Sequence, residues 1–180
     1  MTARIGVLGP VRIADRDAGG TPMRALLAAL VLAGTGTTRS VPALADEVWG
    51  DDQPQNPKAA LQTLVSRARA LAGPDAIASA PGGYALGTDD TDLQSARRLR
   101  AEAEMLDDGD PDRVRLLRAA LALWRGEPGA GRRQPSIGNR QPMSIRSLSA
   151  VVHACRLPHR CRAKRTKHAS IRGRSSRREL

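Results

Sequence analysis

Hydrophobic positions change their spacing several times along the chain, and each change marks an element. In RIGVLGPVRIAD, short apolar runs surround Gly9 and Pro10, which predicts two strands, residues 4–8 and 11–14, joined by a tight turn. DAGGTP then breaks the pattern. Residues 23–33 are apolar on nearly every side and close at Gly34, as in a mostly buried helix. GTGTTRS is a loop with room for one short strand. Ser40 can cap a second helix, VPALADEVWG, in which Leu44, Ala45 and Val48 share a face and Gly50 stops the chain. After the acidic, proline-containing DDQPQ comes NPKAALQTLVSRARAL, residues 56–71, a third helix. Asn56 supplies a capping oxygen and Pro57 a pre-set φ at the first helical position. Leu61, Leu64, Val65, Ala68 and Ala72 form its buried stripe; Gln62, Thr63, Ser66 and Arg67 face the other way, with Lys58 and Arg69 at the edge.

Past residue 71, GPDAIASAPGGYALG holds two short apolar runs, 76–79 and 84–86, around Pro81, Gly82 and Gly83, which is a hairpin signal. DLQSARRLRAEAEML and PDRVRLLRAALALWRG predict two further amphipathic helices joined by DDGD, with Asp92 and Asp110 as caps, Pro111 in a first turn and Gly126 as a stop. A hairpin placed straight after a helix with a polar, basic face is what makes a helix-turn-helix winged, and its tip can reach phosphate or the minor groove.

Charge sharpens the picture. The 180 residues sum to +11, but the total divides: residues 1–130 hold 15 Lys and Arg against 17 Asp and Glu, net −2, and residues 131–180 hold 14 basic residues against Glu179 alone, net +13. Any affinity of the first part for nucleic acid therefore has to come from local patches. Both cysteines, Cys155 and Cys161, lie in the basic segment, so no disulfide staples the rest and a reducing compartment is expected. RALLAALVLAG has the length of an export signal's apolar centre, but it begins too late, and its nine apolar residues, 25–33, fall short of the roughly 18 that span a bilayer. A cytoplasmic protein is expected.

Other chemistries find little support. Gly34 and Gly36 hint at a phosphate cradle, yet no Gly-Lys-Ser/Thr follows. The acidic clusters 89–92 and 107–110 lack the alternating spacing and distal Glu of a calcium loop. His153, Cys155, His159 and Cys161 in HACRLPHRC are spaced more tightly than usual zinc ligands, in a net-positive surround. No nucleophile–base pair is visible, so the chain reads as no enzyme, with no cofactor and no metal.

VLGPVRI, RALLAALVLAG, ALADEVWGDDQPQNPKAALQTLVSRARAL, PGGYAL and ALALWRGEP, taken together and in this order, resemble the SARP type of antibiotic-pathway transcriptional activator, over residues 4 to about 128. That family joins an OmpR/PhoB-type winged helix to a helical, tetratricopeptide-like bacterial transcriptional activation domain. The resemblance implies an α+β winged helix-turn-helix (N-terminal antiparallel sheet, three helices, C-terminal hairpin wing) over residues 1–88. A truncated start of the activation domain, a short all-α helical hairpin, follows at 89–130, and a low-order basic tail at 131–180. It implies a third helix in the major groove, with Gln62, Thr63 and Ser66 toward the bases and Lys58, Arg67 and Arg69 on phosphate. Three such phosphate contacts give a salt slope of roughly −3. Pro81, Gly82, Gly83 and Tyr84 would form the wing, Tyr84 packing it onto the body, and Trp49 would be core. Asp51, Asp52 and Gln53 match the segment that OmpR-like proteins offer to RNA polymerase; a solvated turn is the alternative. Relatives bind direct-repeat sites as side-by-side copies, which implies a tandem homodimer on double-stranded DNA. Two positions depart from the family: Ala68, where relatives carry a larger apolar residue, and Ala70, where they carry an extra basic one.

The expected function is sequence-specific transcriptional regulation, of a secondary-metabolite pathway by resemblance. One alternative is a helical interaction fragment that docks on a full-length relative, since two helices cannot bury both their apolar faces alone and Leu117, Leu121 and Trp124 must fold back or stay partly exposed. Another is a non-specific nucleic-acid binder acting through the basic tail. The abrupt change after Ala130 suggests a frameshift near residues 129–132, or else a genuine basic arm. No receiver-type segment is visible, so phosphorylation control within the chain is not expected.

Overall fold

A computed structural model describes residues 4–127. Strands β1 (Ile5–Gly6), β2 (Arg12–Ile13) and β3 (Arg16–Asp17) form an antiparallel sheet in that order. The expected second strand ran to Ala14, but Ala14 and Asp15 sit at φ 45° and 66°, forming the two-residue turn between paired Ile13 and Arg16. Positive φ at both centres matches the right-handed twist of the flanking strands. Strand β3 was not anticipated: both its residues are exposed, so it offers no apolar alternation to read.

Helix α1 (Thr21–Ala33) begins two residues earlier than the apolar run, because Pro22 suits a first helical turn. It is the central pillar, burying Leu26, Leu27 and Leu30 completely. The short strand β4 (Arg39–Ser40) leads into α2 (Val41–Trp49), whose N-cap Ser40 accepts a hydrogen bond from the Ala43 amide at 3.3 Å. Helix α3 (Pro57–Ala72) starts as expected, with the Asn56 side chain accepting from the Ala59 amide at 3.0 Å. It ends at Gly73, whose φ of 102° suits glycine. Leu44, Leu61 and Val65 close the core under α1, and Trp49 packs half-buried at its margin. Strands β5 (Ile77–Ala80) and β6 (Gly83–Leu86) form the expected hairpin, and β6 pairs with β4 on its other side, giving a sheet in the order β4-β6-β5.

Helices α4 (Asp92–Glu104) and α5 (Pro111–Ala122) pack on each other as an antiparallel pair. Asp110 caps α5 as expected, accepting from the Asp112 amide at 2.8 Å. Asp92 is not the cap of α4. Thr91 is, through its hydroxyl and the Gln94 amide. The Asp92 carboxylate, only 1% exposed, instead accepts from the amides of Val7 and Leu8, both at 2.9 Å, and pairs with Arg125 at 2.9 Å. Nor does Gly126 stop α5, which ends four residues earlier so that Leu123 and Trp124 can turn onto the core. The Arg125 amide then donates to the Leu8 carbonyl at 2.8 Å. Both ends of the helical pair are thus fastened to one spot, Val7–Leu8.

Candidate nucleic-acid interface

The α3 helix has two sharply different sides. Leu61, Val65, Ala68 and Ala72 are buried and Leu64 is half-buried against the core, whereas Lys58, Gln62, Thr63, Ser66 and Arg67 are all exposed. At 100° per residue, the middle of the exposed arc falls on Ala59, Thr63, Ser66 and Ala70, with Gln62 on one flank and Arg67 on the other. Short side chains at the crest let another surface come close to the helix axis. The Thr63 hydroxyl donates to the Ala59 carbonyl at 3.1 Å, which settles the polar atom on the helix backbone. Exposed Ala59, one turn before Thr63, was not singled out in the sequence, although the four-residue spacing places it on this face. A cavity of about 440 Å³ opens beside the helix between Arg67, Ala70 and Leu71 and the segment from Ala18 to Met23.

Cations are distributed unevenly. Eight arginines among the described residues are in ion pairs, including Arg4 with Asp75, Arg24 with Asp17 and Arg39 with Glu47. Lys58 and Arg67 have no ion-pair partner among the described residues and flank the polar crest of α3. Such groups can meet an external anion without first breaking an internal contact. By contrast, Arg4 hydrogen-bonds Asp75 at 2.7 Å, and that bond, with the Asp75 backbone contact next, holds the Asp75 carboxyl below its ordinary range. This pair braces the N-terminal strand against the loop that leads into the hairpin.

Arg69, expected to contact phosphate, is half-buried, and its guanidinium donates to the Ile77 carbonyl and the Ser79 hydroxyl, both at 2.9 Å. The other wing residues divide by environment. Pro81 and Gly82 are exposed at the tip, where Gly82 has φ 75°; Tyr84 is half-buried against the core; Gly83 is buried beneath the strand β4 backbone. Its need for glycine is spatial: a Cβ there would overlap the Arg39 carbonyl.

Asp51, Asp52 and Gln53 are exposed in the loop between α2 and α3, where the Gln53 side-chain amide donates to the Asp46 carboxylate at 2.7 Å. Gly34 serves as the C-cap of α1, and the Gly36 amide donates to the Leu86 carbonyl. The cysteine–histidine cluster and the basic tail lie outside the described residues. Among the described residues no three His, Cys, Asp or Glu side chains are grouped to hold a metal, and no helix is long and apolar enough to cross a membrane.

Comparison with known proteins places this arrangement. No protein-family model matches the chain. The regulatory protein AfsR of Streptomyces coelicolor is 45% identical over 138 residues, an alignment that covers 71% of this chain and 14% of AfsR. The transcriptional regulator RedD of the same organism is 36% identical over 148 residues, covering 72% of this chain and 42% of RedD. The regulatory protein DnrI of Streptomyces peucetius is 34% identical over 143 residues, covering 69% and 52%. The chain therefore spans about half or less of the length of these curated relatives. Among solved structures, Mycobacterium tuberculosis EmbR, in complex with a low-affinity phosphopeptide, superposes with a TM-score of 0.68 at 27% identity, covering 84% of this chain and 42% of EmbR. By sequence this chain is a homologue of the regulators AfsR, RedD and DnrI, and its α+β fold is like the winged-helix domain of EmbR.

Proposed function

We propose that the protein is a sequence-specific DNA-binding transcription regulator of a secondary-metabolite pathway, with α3 in the major groove. The observation that carries this reading is the exposed face of α3, where Gln62, Thr63 and Ser66 stay in solvent between the unpaired cations Lys58 and Arg67. Amide and hydroxyl groups can donate to and accept from base edges, and a threonine methyl such as that of exposed Thr63 suits a thymine methyl. Lys58 and Arg67 neutralise phosphate. With Arg69 engaged by the hairpin, α3 supplies two such contacts, a salt slope of roughly −2. Modest binding of this kind favours tandem copies on direct repeats, and the exposed loop at Asp51–Gln53 is the segment offered to RNA polymerase. DNA as the partner sets the cytoplasm as the place of action.

Gel shifts on promoter DNA across salt concentrations test this reading. Gln62→Ala should lower the preference for the specific site by about tenfold or more at unchanged salt slope. Arg67→Ala should weaken binding to all sequences and flatten the slope by about 0.9. A specific preference that survives both changes overturns the assignment.

A second reading is favoured by one observation. Val114, Leu117 and Leu121, spaced along α5, remain 46%, 37% and 49% exposed, so the helical pair presents an apolar stripe that could dock on a full-length relative. Co-purification with such a relative, abolished by Leu117→Glu together with Leu121→Glu, is the result this reading expects; capture that is indifferent to both changes rules it out.

A further inference from the structure

We infer that Arg69 is a positioning residue that sets the hairpin's angle against α3, so that helix and hairpin can meet one duplex together. The inference rests on the major-groove reading of α3 given above. Its basis is the pairing pattern of the hairpin. The Gly87 amide donates to the Ala76 carbonyl, and the strands pair Ile77 with Leu86 and Ala78 with Ala85. Because antiparallel pairs alternate between bonded and non-bonded, the backbone groups of Ile77 point away from β6. Strand β5 is the edge of its sheet, so the Ile77 carbonyl faces outward with no strand to satisfy it. Arg69 Nε donates to that carbonyl, and one of its terminal nitrogens donates to the Ser79 hydroxyl two residues further along the same edge. Two donors in a rigid plane fix an angle as well as a distance, which a lysine ammonium does not.

The hairpin needs such a hold. From Ala76 to Leu86 it carries no charged side chain, so it has no long-range attraction to phosphate of its own. Only a backbone placed in advance can offer the Gly82 amide at its tip to a duplex. For the same reason, losing the hairpin's contact should leave the salt slope almost untouched, since no cation leaves with it. That separates a positioning role for Arg69 from a direct phosphate contact.

The test uses the full chain and the variants Arg69→Ala, Arg69→Lys and Ser79→Ala. Free in solution, both Arg69 variants should exchange the Ala78 and Ala80 amide hydrogens about tenfold faster than the unaltered chain, with α1 unaffected. On the preferred duplex, both should bind about tenfold more weakly at unchanged salt slope and lose backbone protection where the hairpin lies. Ser79→Ala, which alters one exposed side chain and removes one of the two bonds, should fall between. Full recovery of binding by Arg69→Lys overturns the inference. So does a slope flattened by about 0.9 in Arg69→Ala with unchanged exchange, which would mark a phosphate contact. Unweakened binding of the preferred duplex by the Arg69 variants overturns this inference alone, whereas absence of any preference in the unaltered chain overturns the parent reading and this one with it.

Discussion

Asp92→Ala is expected to destabilise the protein by about 3 kcal/mol, more than any exposed substitution on α3, seen as a large fall in the urea midpoint of unfolding. The carboxylate is enclosed and satisfies three donors at once, the Val7 and Leu8 amides and the Arg125 guanidinium. Alanine leaves two backbone amides without partners, each costing about 1–3 kcal/mol when buried. Arg125, 27% exposed in its side chain, can turn to water, which moderates the total. Asn is not a conservative exchange here. Its oxygen can accept from one amide, but its NH2 then meets another donor, so Asp92→Asn should recover less than half of the loss. Arg125→Ala should cost less than either, because the two amides keep their acceptor. Equal midpoints for Asp92→Ala and the unaltered chain would show that these bonds do not hold the helical pair in place.

The second large effect is expected at Gly83. Gly83→Ala should cost about 3 kcal/mol and abolish binding to specific DNA, because a Cβ there overlaps the Arg39 carbonyl and forces β4 and β6 apart. Separation at that point reaches further than the strand pair. Ser40, paired with Gly83, also caps α2, and the Val41 amide donates to the Gly82 carbonyl at 3.0 Å. The neighbouring Gly82→Ala is the control. Gly82 has the positive φ but open space around it, so alanine there pays only the left-handed backbone cost, about 1–2 kcal/mol. Thermal unfolding of the two variants distinguishes them. Equal losses would mean that the β4–β6 approach yields easily and that spatial crowding is not why glycine stands at 83.

What the sequence made legible follows from how local each signal is. The three core helices and α5 announce themselves through apolar spacing and through caps such as Asn56, Ser40 and Asp110, which are properties of a few adjacent residues. The exposed face of α3 was readable for the same reason. Strand β3 was not, because Arg16 and Asp17 face solvent on both sides and leave no alternation. Thr91 and Asp92 are both good capping residues, and nothing within their own helix decides between them; the choice is made by Val7 and Leu8, more than 80 residues away. Arg69 illustrates the same limit at the interface. Helical spacing puts it at the edge of the buried stripe, but only the packed position of β5 shows that its donors are taken. Sequence spacing puts Gly83 in the turn, whereas it opens strand β6, and the reason for glycine there lies in the distant Arg39 backbone.

The anchoring of α4 and α5 at Val7–Leu8 has one more consequence. Because the polypeptide leaves that patch at residue 92 and comes back to it at residue 125, the helical pair is a closed excursion whose departure and return points coincide. A chain cut at the Gly109 turn would still have both fragments moored, and any longer helical array built onward from Trp124 would start from the same pivot. Additions there change the length of the lever without moving its fulcrum.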